Sequence, residues 1–229
     1  MKVCTDATLF GAMAPVGGGE RVLDIGTGSG LLALMSMQLG AGSVHAVELD
    51  RGACEDARNN FSRSPWAQRI SLSQAPIQAY AASSSQKYDL IISNPPFFER
   101  HHGSRDPLRH LARHSDQLSH RDLVRAADRL LAEAGLLYLL IPRHAVERLL
   151  ALAREQGLFP AGKCLFTPFR ERPGNAVALT LCRCPRAFVD RCLVIYNAPR
   201  DYSAASARYL RPFLLRFAGT APARVSAAP

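Results

Sequence analysis

A short apolar run, Arg21-Val22-Leu23-Asp24-Ile25, leads directly into Gly26-Thr27-Gly28-Ser29-Gly30, and a second apolar stretch, Leu31 to Leu39, follows at once. The first run has the length of a buried strand and the second that of a helix. Gly40-Ala41-Gly42 closes the helix as a C-cap cluster should. A strand, a glycine-rich turn and a helix in immediate succession are the parts of a parallel crossover, because a strand that is to lie parallel to the first needs such a connection. Glycines let the backbone approach a ligand closely. The helix N-terminus behind them favours an anionic group.

The rest of the chain repeats the alternation. Ser43 to Glu48 reads as a second strand, and Asp50 is a candidate N-cap for a helix through Phe61. Arg69 to Ser73 is a short third strand and Tyr88 to Ser93 a fourth. Ser119 or His120 opens a helix that is expected to end near Ala134-Gly135. Leu136 to Ile141 forms a fifth strand closed by Pro142. A further helix spans Ala145 to Gln156 and stops at Gly157. Phe159 to Thr167 and Ala176 to Arg183 flank Arg170-Glu171-Arg172-Pro173-Gly174-Asn175, as an antiparallel pair with a long turn would. This pattern predicts an α/β fold: a doubly wound, mostly parallel seven-stranded sheet with one antiparallel edge strand. Residues 1–217 make one domain, and residues 218–229, small and proline-containing, are expected to form a disordered tail. There is no internal repeat.

Glu48 closes the second strand eighteen residues after Gly30. An acid at that place can accept from both hydroxyls of a ribose. A dinucleotide site has the same parts, but its glycine spacing is G-x-G-x-x-G, whereas Gly26, Gly28 and Gly30 follow G-x-G-x-G. Asp24 also lies where nicotinamide-binding folds keep an apolar residue.

The fourth strand runs into Ser93-Asn94-Pro95-Pro96-Phe97. The prolines fix φ and push the residues before them to extended conformations. Asn94 and Phe97 are thereby held at the carboxyl end of a strand, where open α/β sheets bind ligands. Asn94 offers an acceptor oxygen and Pro95 its carbonyl, enough to hold both hydrogens of a planar NH2 group. Phe97 can stack on the π-system that carries it.

These two constellations resemble, respectively, the Asp-x-Gly-x-Gly signature of class I S-adenosylmethionine methyltransferases and the Asn-Pro-Pro-Tyr/Phe signature of their amino-group branch. In that class Asp24 would end-cap the loop near the methionine portion of S-adenosyl-L-methionine, and Glu48 would bind its ribose. Residues 1–12 (Met1-Lys2-Val3-Cys4-Thr5-Asp6 onward), Asn60-Phe61-Ser62-Arg63-Ser64-Pro65-Trp66-Ala67 and Asp89 to Pro96 resemble the bacterial tRNA(Val) adenine-37 N6-methyltransferases. That resemblance covers nearly the whole chain. It implies a Rossmann-like methyltransferase that acts on an adenine N6 beside the valine anticodon, with Thr5 and Asp6 near the cofactor. Three departures are visible. Family members have a further segment before the residues that match Met1, so a late-starting chain is expected. Pro76 stands where an acid touches the cofactor adenine. Phe97 replaces a common tyrosine.

Net charge is +9, with 28 basic against 19 acidic residues, and only Lys2, Lys87 and Lys163 are lysines. Arginine forks bind phosphate bidentately, and a basic balance is the footprint of nucleic-acid binding. Arg100, Arg105, Arg109 and Arg113 follow the catalytic turn and are candidate RNA contacts, with a solvated flexible face as the alternative. The histidines among them have metal-compatible spacing but no acidic ligands, and the six cysteines form no C-x-x-C pair, so no metal is expected. Trp66 reads as a packing residue or a base-stacking one; Tyr196 and Tyr202 are equally open. No run approaches the ~20 apolar residues of a membrane span and no secretory core is present, so a cytoplasmic enzyme is expected, with RNA, and tRNA in particular, as its partner. Competing readings are methylation of ribosomal RNA guanine N2 or of a release-factor glutamine, a non-catalytic RNA-binding protein on a methyltransferase scaffold, and a nicotinamide oxidoreductase.

Overall fold

The structure, a computed structural model, describes residues 4–95 and 118–217. Its centre is an eight-stranded sheet in the order β3-β2-β1-β4-β5-β7-β6-β8. The strands are β1 (Arg21–Ile25), β2 (Ser43–Glu48), β3 (Ile70–Gln74), β4 (Tyr88–Ser93), β5 (Leu131–Pro142), β6 (Phe159–Thr167), β7 (Ala176–Cys182) and β8 (Val189–Val194). A small second sheet pairs β9 (Tyr196–Ala198) with β10 (Asp201–Tyr202). The helices are α1 (Thr5–Ala12), α2 (Leu31–Leu39), α3 (Arg51–Ser62), α4 (Ile77–Ser83), α5 (His120–Leu130), α6 (Val146–Glu155) and α7 (Ala204–Leu210).

In the eight-stranded sheet neighbouring pairs are parallel except where β7 meets β5 on one side and β6 on the other. The sheet is therefore mostly parallel with one reversed strand, as expected. Two details differ. There are eight strands rather than seven, because Val189–Val194 adds alongside β6. The reversed strand is interior rather than at the edge, because β7 inserts between β5 and β6 instead of lying outside β6.

Side chains alternate across β1, and the two faces bury separate cores. Val22 shares one cluster with Leu9 and Phe10 of α1, Leu32 and Ala33 of α2, Phe61 of α3 and Leu210 of α7. Leu23 and Ile25 share the other with Ile77 of α4, Leu123 and Leu130 of α5 and Leu149 of α6. Trp66 packs against the first cluster, which supports its reading as a packing residue.

Local chemistry sets most boundaries. Asp50 caps α3 by accepting from Ala53 N at 2.8 Å, and Ser119 caps α5 by accepting from Asp122 N at 3.1 Å. Gly40 takes the left-handed conformation that ends α2. α5 stops at Leu130, earlier than the expected Ala134-Gly135, because Leu131 already pairs with Tyr88. Leu90 next pairs with Leu136, so residues 132–135 bulge out against one residue of β4. Gly135 lies at the close point of that bulge, where a Cβ would come within 2.9 Å of the Tyr88 carbonyl. Among the described residues no helix is long and apolar enough to cross a membrane.

Candidate functional site

The sheet order reverses between β1 and β4: β2 and β3 lie beyond β1, whereas β5 lies beyond β4. A crevice opens outside the carboxyl ends of the strands at such a switch point. The glycine turn leaves the end of β1, and Asn94-Pro95 leaves the end of β4, one strand spacing away, about 4.8 Å. Ser93 Oγ donates to the Ile25 carbonyl at 2.7 Å and ties the two strand ends together.

Gly26, Gly28 and Gly30 all have positive φ, at 71°, 58° and 90°. Gly26 N and Thr27 N both donate to the Val47 carbonyl, at 2.8 and 3.2 Å, which folds the turn over the end of β2. A Cβ placed on Gly26 would meet no atom within 4 Å. The turn thus presents bare backbone to open space there. At Gly30 the restriction is internal: a Cβ would lie 2.4 Å from the ring of buried Phe61. The next residue back in α3 completes the clamp, since Asn60 Nδ2 donates to the Ser29 carbonyl at 2.8 Å.

Asp24 is fully buried beneath the turn. Its Oδ2 accepts from Thr27 Oγ1 at 2.5 Å and from Ala33 N at 3.0 Å, joining β1, the turn and α2. Its Oδ1 is the one buried side-chain polar atom without a hydrogen-bond partner among the described residues. Burial raises the carboxyl pKa to about 7, helped by the charge of Glu48 and opposed by the bonds from Thr27 and Ala33. The folded state therefore keeps a proton that the unfolded chain loses near pH 4. This contribution to stability is complete below about pH 4 and is lost as pH rises to about 7. In denaturant titrations across pH 4–8, Asp24→Asn is expected to flatten that slope, a change bounded at about 4 kcal/mol. Parallel slopes in the two proteins would contradict the assignment.

Glu48 does not stand free at the end of β2. Oε1 accepts from Leu49 N at 2.8 Å and Asp50 N at 2.9 Å, and Oε2 accepts from Gly28 N at 2.9 Å. A carboxylate has about four acceptor sites, so Oε2 retains one for a ligand hydroxyl. The three backbone bonds hold the carboxylate rigidly across the mouth of the turn.

Asn94 is half-buried, and among the described residues its side-chain amide has no hydrogen-bond partner. Pro95 is buried. Phe97, Arg100, Arg105, Arg109 and Arg113 lie outside the described residues. Thr5 and Asp6 begin α1, whose Phe10 stacks on Tyr138 of β5 at 4.3 Å. Thr5 Oγ1 bonds with Tyr196 OH at 2.9 Å, so its partner is on the C-terminal segment rather than on the glycine turn. Burial raises the Asp6 carboxyl. Pro76 heads α4, where its carbonyl accepts from Ala79 N and Tyr80 N, and it brings no polar side chain to the site.

Four supporting residues had no assigned role in the sequence reading: Thr27, Asn60, Phe61 and Ser93. Each lies inside a segment already singled out, so the segments were visible and the contacts were not. No group of three or more metal-ligating side chains is present among the described residues.

Comparison with known proteins shows what this chain is similar to. Residues 5–95 match the family model described as ribosomal protein L11 methyltransferase (PrmA). Over 94% of its length the chain is 40% identical to the tRNA1(Val) (adenine(37)-N6)-methyltransferase of Aeromonas hydrophila subsp. hydrophila, 91% of which is covered. The protein of that name from Parabacteroides distasonis is 40% identical over 82% of this chain and 79% of its own. The one from Erwinia tasmaniensis is 39% identical over 94% of this chain and 89% of its own. Among solved structures, a ribosomal protein L11 methylase from Lactobacillus delbrueckii subsp. bulgaricus superposes with a TM-score of 0.56 at 22% identity, covering 78% of this chain and 77% of its own. A TehB-like SAM-dependent methyltransferase from Corynebacterium glutamicum gives 0.53 at 17% identity, covering 80% of this chain and 89% of its own. These structural likenesses show the α/β methyltransferase fold.

Proposed function

We propose that this chain, which belongs to the tRNA1(Val) (adenine(37)-N6)-methyltransferase family, transfers a methyl group from S-adenosyl-L-methionine to the exocyclic N6 of adenine 37 in a valine tRNA. Membership makes it a methyltransferase. The observation that carries the finer reading is the position of Asn94-Pro95 at the end of β4, directly beside the glycine turn of β1.

The residues present fit the cofactor. Open space at Gly26 admits a ligand against bare backbone. The unpartnered Asp24 Oδ1 suits the donors of an amino-acid moiety. The remaining acceptor site of Glu48 suits one ribose hydroxyl. Pro76 leaves the adenine end without a carboxylate partner from that position. Thr5 and Asp6 are proposed to close over this ligand from α1. The cofactor, when bound, supplies an electrophilic sulfonium methyl.

The chain's own residues prepare the nucleophile. Adenine N6 attacks poorly because its lone pair is delocalised into the ring. Asn94 Oδ1 and the Pro95 carbonyl accept its two N–H bonds and draw the nitrogen toward tetrahedral geometry. Phe97 stacks on the base. The two oxygen dipoles also meet the positive charge that develops on nitrogen, and positioning contributes up to ~7–11 kcal/mol in favourable systems. The extra proton leaves to water, so no strong base is needed. The adenine must first be splayed from its loop, and the arginines at 100, 105, 109 and 113 are proposed to hold its phosphates. The reaction belongs in the cytoplasm.

Tritium transfer from labelled cofactor to unmodified total tRNA, ribosomal RNA and release factor, offered separately, tests this reading. Label in tRNA as N6-methyladenosine is the expected result. Label in ribosomal RNA guanine or a release-factor glutamine, and none in tRNA, would replace the substrate.

A further inference from the structure

A second recess opens on the same edge of the sheet as the catalytic turn. β6 ends at Thr167, β8 ends at Val194 and the reversed β7 begins at Ala176, so residues 168–175 and 195–203 emerge together at the carboxyl edge. Tyr196 N donates to the Pro168 carbonyl at 3.0 Å, and Ile195 N to that of Thr167 at 2.8 Å, which stitches the two segments side by side. Between them lies a cavity of about 830 Å³ lined by Phe169, Arg170, Arg172, Tyr196 and Asn197, with Glu171 as its only acid among the described residues. That volume is in the range of small-ligand sites.

The lining has two kinds of group. Phe169, Tyr196 and Tyr202 form a chain of half-buried rings, with centroids 5.7 and 4.9 Å apart. Phe169 and Tyr196 line the recess, and Tyr196 and Tyr202 also pack against the first core cluster. Arg170 and Arg172 are exposed and, among the described residues, neither is ion-paired. The guanidinium of Arg172 stands 5.6 Å from the Phe169 ring centre. Aromatic faces that take splayed bases, beside arginine forks that take phosphates, are the elements of single-stranded RNA recognition. The net charge of +9 has the matching sign. From β4 to β6 there are three strand steps, on the order of 14 Å, a gap that a few nucleotides of one loop can bridge. The Thr5–Tyr196 hydrogen bond joins the recess to α1.

We infer that this recess is a second nucleotide subsite, which stacks an unpaired base near the target adenine and holds its phosphate at Arg170 and Arg172. The inference rests on the RNA-methyltransferase reading and adds to it a site remote from Asn94.

Two variants of the full chain test it, each titrated against a fluorescent anticodon stem–loop RNA over a range of salt. The double substitution Arg170→Ala/Arg172→Ala is expected to weaken binding by roughly tenfold or more. It should also reduce the slope of log K against log[salt] by about 0.7, the contribution of one single-strand phosphate contact. Phe169→Leu keeps an apolar side chain and removes the ring, so it is expected to weaken binding by roughly tenfold with the salt slope unchanged. The arginine pair lies on an exposed turn, and an unaltered melting temperature and cofactor affinity would show that fold and catalytic site are intact. Wild-type affinity and slope in both variants would overturn the subsite. Methyl transfer by the wild-type chain to the same RNA is read separately: its absence would overturn the proposed reaction, while the binding ratio would still decide the subsite.

Discussion

Replacing Asn94 by alanine is expected to lower kcat for methyl transfer by about 10²–10³-fold, in the range found when one preorganised hydrogen-bonding group is removed from a transition state. The side chain stands at the end of β4 with its amide unengaged among the described residues. Its position is set by the Ser93 bond to Ile25 and by the buried Pro95 that follows, so truncation removes an acceptor without loosening the turn. The loss should appear in kcat and in kcat/KM together, because the bond is proposed to strengthen only as N6 becomes tetrahedral. Cofactor affinity should be unchanged, since Asp24, Glu48 and the glycine turn are on β1 and β2. Steady-state kinetics with tRNA, paired with calorimetric titration of the cofactor, separate these quantities. A variant with normal kcat would remove Asn94 from the mechanism. One that failed to bind cofactor would make it a structural residue.

Gly30→Ala is expected to be the most damaging small substitution in the glycine turn, and for two additive reasons. Its φ of +90° is unfavourable for an L-residue, which costs about 1–2 kcal/mol. Its new Cβ would also meet the Phe61 ring at 2.4 Å, and Phe61 is only 5% exposed and cannot swing into solvent. Overpacking of this kind costs about 1–3 kcal/mol. The sum, about 2–5 kcal/mol, corresponds to a fall of roughly 5–20 °C in melting temperature for a chain of this size. Gly26→Ala is the informative comparison. It shares a positive φ, 71°, but its Cβ enters open space. It should cost less in stability than Gly30→Ala while weakening cofactor binding, because the methyl group occupies the space the ligand needs. Thermal melts of both variants, with and without cofactor, check the contrast. Equal destabilisation would mean that backbone conformation alone governs the turn.

The difference between those two glycines could not be seen in the sequence, where both read as turn residues. The parts of the fold that were legible are those encoded locally. β1, α2, β2, β4 and β6 have the bounds expected from apolar runs stopped by glycine, proline or a capping side chain. α1 was missed because Ala7 to Ala12 are all buried, so the helix has no polar face and no amphipathic period. β8 was missed for the opposite reason: Val189 to Cys192 are exposed on the sheet edge, and the strand carries Asp190 and Arg191. The insertion of β7 between β5 and β6 is a matter of non-local pairing, which a hairpin pattern does not encode. The site shows the same division. Asp24, the glycines, Glu48 and Asn94 are legible as residue types at spacings. The hold of α3 on the turn, through Asn60 and Phe61, exists only once α3 has packed against it. Glu48 adds a further lesson. An acid at the end of β2 suggested a partner for both ribose hydroxyls, yet three backbone N–H groups already occupy most of its acceptor sites.

The most direct test of the central claim is to map the methyl group. Unmodified tRNA1(Val), reacted with the full chain and S-adenosyl-L-methionine, would be cut into oligonucleotides and analysed by mass spectrometry with nucleoside standards. The account predicts a single methyl group on N6 of adenine 37, formed far more slowly when Asn94→Ala replaces the wild type. A methyl group on a guanine, on a ring nitrogen of adenine or at another position of the tRNA would contradict it.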